Sequence, residues 1–269
     1  MKCSLRQVTQ QQLKELPRSG SVSAPCRLQG IELPQDLSCP IPLLQYIVGE
    51  SLRSRGAIIA GGLARRGIIR HCSFTDVDLD EVEVRRTDIS LCSCDKVLIG
   101  SRHRARLDRC VFRSCTFSAT WFRSIFSRAT RFVDCAFNGG GFADVRWNGC
   151  SFENVTVTGH VASTNFKECQ FVQADFRSAT FADTSFLCGI EGLLLPDRPD
   201  NFVVAASRLA EVCGKLKGKL SASGFKEFES IARILSVSKY PVMVDRGLFE
   251  DLADEDRDTV MNALFAMRH

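Results

Sequence analysis

Between Cys110 and Phe186 the large apolar residues return every five positions. The series runs Phe112, Phe117, Phe122, then Phe132, Phe137, Phe142, Trp147 and Phe152, and after a slip Phe166, Phe171, Phe176, Phe181 and Phe186. Two residues before each stands something small or compact: Cys110, Cys115, Thr120, Thr130, Cys135, Gly140, Val145, Cys150, Thr164, Cys169, Ala174, Ala179 and Thr184. A five-residue step advances about 140° round an α-helix, so these rings would face water on every side. In a strand an odd step sends successive rings to opposite faces. A chain that bends once per five-residue unit buries both marked positions by closing into a coil. Coils stacked at the strand spacing of about 4.8 Å then set equivalent rings against one another as offset stacks.

The same step runs backwards from Phe74 through Ile69, Ala64 and Ile59, with Gly67 and Gly62 in the small places. Forwards it continues through Leu79, Val84, Ile89, Cys94 and Ile99. The register then breaks, which makes Gly100 to Arg106 (GSRHRAR) a candidate insertion bulging from the coil. A second slip is expected between Val157 and Phe166, around Gly159 and His160. Repetition of this kind marks a solenoid, in which each turn is stable only against its neighbours.

"QADFRSATFADTSF" (Gln173 to Phe186) and "RCVFRSCTFSATWF" resemble the pentapeptide-repeat family, whose loose consensus is A(D/N)LXX with Leu or Phe at the centre. The resemblance implies a mainly β fold, a right-handed quadrilateral β-helix with about four units per coil. Periodicity alone gives a closed coil and leaves its cross-section open.

Outside the repeat the pattern changes. Residues 1–42 carry four prolines between Arg18 and Pro42 and read as an irregular N-terminal segment, with a short helix expected around Val8 to Leu16. Leu43, Leu44, Ile47, Val48 and Leu52 mark one helix face, so a capping helix is expected over 43–56 and the β-helix over 57–189. Residues 190–269 read as an α-helical C-terminal unit. There Asp200 or Asn201 is expected to cap a helix running to about Leu220, and a second helix starts near Ser223. Pro241 to Val244 reads as extended, and Asp254 opens a last helix.

Composition adds limits. The net charge is +4 and the hydrophobic fraction 45%. No run approaches the roughly 18 apolar residues of a membrane span. MKCSLRQVTQQQL lacks the apolar core of a signal peptide, which points to the cytoplasm or to secretion into a host cell without a cleaved signal. Of thirteen cysteines, Cys72, Cys92, Cys110, Cys115, Cys135, Cys150 and Cys169 fall two before a central residue, where cysteine serves as a small buried hydrophobe. Cys92 and Cys94 are too close for zinc pairing, so neither a metal nor any other cofactor is expected.

Only His71, His103, His160 and His269 are available, and none sits in a nucleophile or metal motif, so no enzyme activity is expected. Charge is more informative. Early coils carry Asp76, Asp78, Asp80, Glu81, Glu83 and Asp88, and the balance then inverts between Arg102 and Arg131. The candidate contacts are Arg102, His103, Arg104 and Arg106, flanked by Arg109, Arg113, Arg123 and Arg128, facing an acidic partner protein rather than nucleic acid.

The family's best-known activity is protection of DNA gyrase by proteins that mimic duplex DNA, which needs a long acidic face. Here acids and bases nearly cancel from Cys72 to Gly189. "SKYPVMVDRGLFEDLADEDRDTVMNALF" resembles the segment that follows the β-helix in HECT-like ubiquitin-ligase effectors of type III secretion, without a matching catalytic cysteine motif. The expectation is a non-enzymatic protein-interaction scaffold acting as a bacterial effector, with a gyrase-binding DNA mimic and a substrate-binding ligase fragment as alternatives.

Overall fold

A computed structural model describes residues 66–100 and 104–268, together with the backbone of short strands between Arg6 and Arg65. Parallel strands dominate, in sheets of eight, ten and eleven strands. The chain climbs as a coil whose cross-section has four sides, each holding one five-residue unit per turn. Side 1 stacks Ile69, Ile89, Phe112, Phe132, Phe152 and Phe171. Side 2 stacks Phe74, Cys94, Phe117, Phe137 and Val157. Leu79, Ile99, Phe122, Phe142, Val161 and Phe181 line side 3. Val84, Leu107, Ser127, Trp147, Phe166 and Phe186 line side 4. Sides 3 and 4 share the eleven-stranded sheet because eight-residue strands such as Trp121–Arg128 turn the corner between them.

Most corners are a left-handed residue two places after the centre. Arg109, Ser114 and Ala119 have φ of 55°, 50° and 46°. Such a conformation is unfavourable for a residue with a side chain. Here it aims the corner N–H at the next coil: Arg109 donates to Arg128 O at 2.8 Å, Ser114 to Val133 O at 2.9 Å and Ala119 to Asn138 O at 2.7 Å.

The rings stack as the five-residue step requires on three sides. Phe112 and Phe132 lie 4.8 Å apart, Phe117 and Phe137 4.6 Å, and Phe166 and Phe186 5.0 Å, all nearly parallel. Side 3 departs, since Phe122 meets Phe142 edge-on at 84°. On side 4 the series has a gap at Ser127, which is filled by the larger Trp147 one coil later; both are wholly buried.

The position two before each centre is also buried, and cysteine there does more than fill space. Cys115 Sγ donates to Arg113 O at 3.4 Å, as Thr120 Oγ1 does to Ser118 O at 3.1 Å, so thiol and hydroxyl are interchangeable weak donors. All ten described cysteines are free thiols.

Both register slips occur. Val84 pairs with Leu107, twenty-three residues on instead of twenty, so the register gains three residues between Ile99 and Ala105. Gly141 pairs with His160, nineteen residues on. That shortened coil runs so close that a Cβ at Gly140 would overlap the Thr120 carbonyl, and one at Gly159 the Gly140 carbonyl.

The N-terminal expectations change. Among the described residues of 43–56 strands stand in place of the expected capping helix: Leu44–Gln45, Ile47–Glu50 and Arg53–Arg55 are strands, and Leu44 pairs with Ala64. The five-residue step simply runs on through 44, 49 and 54. Gly49 and Ser54 hide it, while Ile47 and Leu52 in the preceding places mimic a helix face. Strands Arg6–Gln7, Cys26–Gln29 and Ile31–Leu33 likewise pair in parallel with the coil, within a segment expected to be irregular. The helix expected at Val8 to Leu16 lies outside the described residues.

At the other end the coil extends past Gly189, since Leu193–Leu194 pairs with Ala174–Asp175. Asn201 opens no helix; it starts a strand, Asn201–Val204, antiparallel to Val242–Asp245. Helix α1 (Ala206–Leu216) follows and buries Ala206, Leu209, Val212 and Leu216. Helix α2 (Ala222–Ser236) is capped by Ser221, whose Oγ accepts from Gly224 N at 3.0 Å. Helix α3 (Asp254–Ala266) packs its Val260, Met261 and Leu264 into the same core as Phe202, Phe228 and Phe249. Asp256 accepts from Ser221 N at 3.0 Å, tying α3 to the start of α2. None of these helices is long and apolar enough to cross a membrane.

Side chains close the solenoid's end. Asn201 Oδ1 accepts from Phe181 N at 3.2 Å and its Nδ2 donates to Phe181 O at 2.8 Å, supplying the bonds another coil would make on side 3. Asp245 Oδ2 accepts from Asp183 N at 3.1 Å. Met243 seats against the solenoid core.

Candidate interaction surface

Strand Trp121–Arg128 shows how a solenoid has residues to spare. Phe122, Ile125 and Ser127 point inward and are buried, which leaves Trp121, Arg123, Phe126 and Arg128 outside. Aromatic side chains on an outward surface are not needed by the core. Two aromatics alternating with two arginines match the residue types that dominate binding hot spots.

The surroundings hold these side chains in place. The Arg123 guanidinium lies 5.1 Å from the Trp121 ring centroid. Trp121 and the His160 imidazole are parallel within 4° at 6.0 Å, reaching across Gly141, and His160 Nδ1 is hydrogen-bonded to Thr180 Oγ1. Arg106 sits 5.6 Å from the Phe126 ring centroid, and its Nε is 3.8 Å from Glu83. A groove of about 590 Å³ runs beside Phe126 along side 4, edged by Asp144, Arg146, Asn148, Asn165 and Lys167.

Side 4 is also the charged side. Its outward positions carry Arg85, Arg106, Arg128, Arg146 and Lys167 against Glu83 and Asp108. Arg85 is paired with Glu83. Successive coils repeat about every 4.8 Å, so these cations form an axial series closer than the Debye length of about 8 Å at physiological salt, and their fields add.

The sequence-derived candidates divide accordingly. Arg106 and Arg128 lie on side 4, with Arg104 beside Phe126 at one corner and Arg109 at the other. Arg123 sits across the Ser124 corner on side 3, and Arg113 is outward on side 1. The eight residues therefore do not share one face; Arg102 and His103 lie outside the described residues. Arg146, Lys167, Phe126 and Trp121, pointing outward on the same part of the surface, are not among them. Aligning the chain by twenty-residue coils, rather than scanning it for runs of arginine, brings Arg106, Phe126 and Arg146 into one column.

Among the described residues no cluster of three His, Cys, Asp or Glu side chains is placed to hold a metal. Burial pushes the Cys94 thiol up to about 12 and the Cys110 thiol to about 11, which keeps both protonated and unreactive.

No family model matches the sequence, and no curated protein does. Solved structures are similar at low identity. A trypsin-treated variant of QnrB1, a plasmid-mediated fluoroquinolone resistance protein, is 16% identical with a TM-score of 0.34, over 55% of this chain and 79% of that one. HetL, a pentapeptide repeat protein involved in heterocyst differentiation regulation in the cyanobacterium Nostoc sp. strain PCC 7120, is 16% identical with a TM-score of 0.27, over 64% and 90%. Rfr23, a pentapeptide repeat protein of the cyanobacterium Cyanothece 51142, is 8% identical with a TM-score of 0.17, over 48% and 90%. The coil's own geometry, with its five-residue units, four sides and centre-and-two-before burial, is that of a four-sided parallel β-solenoid, the fold of pentapeptide-repeat proteins.

Proposed function

We infer that the chain is a non-enzymatic protein-interaction scaffold that presents side 4 and its corner with side 3 to an acidic protein surface. The observation that carries this is the outward row Trp121, Arg123, Phe126 and Arg128, set in a side where five cations face two carboxylates. A rigid strand surface loses little entropy when it binds, so aromatic anchors on it convert area into affinity efficiently. Arg104, Arg106, Arg109 and Arg128 are the cationic contacts of this reading, with Arg146 and Lys167 added. Mimicry of duplex DNA calls for the opposite charge on a long face, so the basic row favours the scaffold reading over a gyrase-binding mimic.

The test is affinity capture with intact protein and with a Trp121→Ala, Phe126→Ala, Arg128→Glu triple variant. Loss of the captured partner at unchanged melting temperature supports the surface, and undiminished capture removes it. The finer reading, a bacterial effector delivered to host cells, is supported by the sequence resemblance from Ser238 to Phe265. Export by a type III-competent strain but not by one lacking the apparatus is its expected outcome, and equal export or none rejects it.

A further inference from the structure

Side 4 has a regular grain that its charge alone does not show. The outward position just before each centre stacks Glu83, Arg106, Phe126, Arg146, Asn165 and Ser185 in one column. The position just after the centre stacks Asp108, Arg128, Asn148 and Lys167 in a second. In the first column Arg106 and Arg146 stand one coil below and one coil above Phe126. At the coil spacing the two arginines are about 9.6 Å apart, with the half-buried ring midway. Among the described residues no ion pair forms at Arg128 or Arg146, and Arg106 holds Glu83 only loosely, at 3.8 Å.

The groove on this side begins beside Phe126 and climbs past Asn165 to Ser185 and Leu187. Three coil steps give it a length of about 14 Å. One lip carries Asn148 and Lys167, and the other, at the corner with side 3, carries Asp144, Ser163 and Asp183. An extended peptide repeats its same-face side chains about every 6.8 Å, which falls near midway between one coil and two. An α-helix rises about 5.3 Å over half a heptad and about 10.5 Å over a whole one. Those steps match one coil and two to within about 1 Å. Side chains at i, at i+3 or i+4, and at i+7 of such a helix share one face.

We propose that side 4 takes an acidic amphipathic α-helix laid along the solenoid axis, with carboxylates two helical turns apart on Arg106 and Arg146 and an apolar side chain between them on Phe126. This rests on the reading of side 4 as a surface for acidic proteins, and adds the shape and spacing of the segment it recognises. Asp144 and Asp183 repel acids on the flank turned to their corner, so the helix is acidic along one stripe only.

The probe is a fluorescein-labelled peptide of three Glu-Ala-Lys-Leu-Ala-Gln-Ala heptads, about 21 residues and so long enough to be helical in water. Its charges cancel, so binding reports their pattern. Titrated with the full chain and followed by anisotropy, it is expected to saturate. Exchanging its glutamates and lysines keeps the composition but sets lysine beside the leucines, and is expected to weaken binding at least tenfold. Proline in place of the glutamines keeps the charges and removes the helix, with the same expected loss. Arg106→Glu with Arg146→Glu, both at exposed residues, is expected to lose the parent helix at unchanged melting temperature and to bind the exchanged one. Phe126→Ala is expected to cost several-fold, and Arg113→Glu on side 1 nothing. Equal binding of the proline peptide overturns the helix and leaves side 4 a surface for acidic chains of any shape. Equal binding of the exchanged helix, or no saturable binding of the parent, also overturns it, whereas the side 4 reading itself falls only with undiminished capture by the triple variant. A duplex DNA oligonucleotide that binds more tightly than the helix, and is lost with Arg106 and Arg146, overturns it in favour of nucleic acid.

Discussion

The solenoid and the C-terminal unit bury similar residues by opposite means. In the solenoid each ring meets its counterpart one coil away, so Phe132 stacks on Phe112 at 4.8 Å and on Phe152 at 5.4 Å. In the C-terminal unit Phe202 meets Phe265, and Phe228 meets Phe249, edge-on at 5.1 and 5.8 Å, with no repeat relating them. A stack transmits damage along one axis only, because each coil contacts its neighbours and nothing else. A globular core shares it among all its elements. Where the two meet, repetition has no further coil to offer, and single side chains take over its hydrogen bonds.

The sharpest way to break this comparison is a buried charge in each region. Phe137→Asp removes stacking with Phe117 and leaves a carboxylate where no cation reaches. Lost packing alone costs about 3–5 kcal/mol, and the unpaired charge adds to it. We expect the strand signal in circular dichroism to collapse. Phe228→Asp in α2 carries a similar penalty, yet is expected to melt helix and leave most of the strand signal. If both variants lose helix and strand together, the two regions are one cooperative unit and the contrast fails.

Much of the solenoid was legible because it is written in repeats. The centre residues, the small residues before them and both slips followed from counting in fives, since Phe112 to Phe186 have no other way to be buried. The N-terminal strands were not legible because Gly49 and Ser54 occupy centres without being large. Asn201 read as a helix cap because a carboxamide near a turn ordinarily does that work; only the free edge of Phe181 makes it a strand terminator. The surface was half legible. Clustering in sequence names Arg106 and Arg128, which share side 4, but a coil scatters neighbours over several sides, so Arg113 lies on side 1, Arg123 on side 3, and Arg146 of side 4 falls outside the cluster.

Asn201→Ala probes the seam next. It leaves the N–H and C=O of Phe181 without partners in a buried place, and each such group costs about 1–3 kcal/mol. Urea unfolding is expected to lose about 2–6 kcal/mol on that basis and to separate into a helical and a strand transition. A single unshifted transition would show that the seam rests on Met243 and apolar packing instead.

Asp245 gives the seam a pH dependence. Burial holds its carboxyl above the usual carboxylate range, against N–H groups donated by Gly247, Leu248 and Asp183. The folded state therefore keeps this proton to higher pH than the unfolded chain does. The resulting stability is full below the ordinary aspartate range and is lost as pH rises through the folded value. Asp245→Asn cannot titrate, so the stability of wild type relative to the variant is expected to fall across that window and level off above it. A difference that rises with pH would mean that the three donors outweigh burial.

The smallest effect is expected on the outer wall. On side 1 Arg131 holds Glu153 of the next coil at 2.9 and 3.2 Å, with both side chains well exposed at 48% and 32%. The arginine keeps the Glu153 carboxyl below its usual range, so whatever the pair contributes is present at neutral pH and lost as acid protonates the glutamate. Exposed pairs are worth about 0.2–1 kcal/mol and are screened by salt. Arg131→Gln should cost no more than that in thermal unfolding, and the cost should vanish in about 1 M salt. A salt-insensitive loss of about 2 kcal/mol or more would exceed what such pairs supply, and would mean that the outer rungs, not the stacked rings alone, fix one coil to the next.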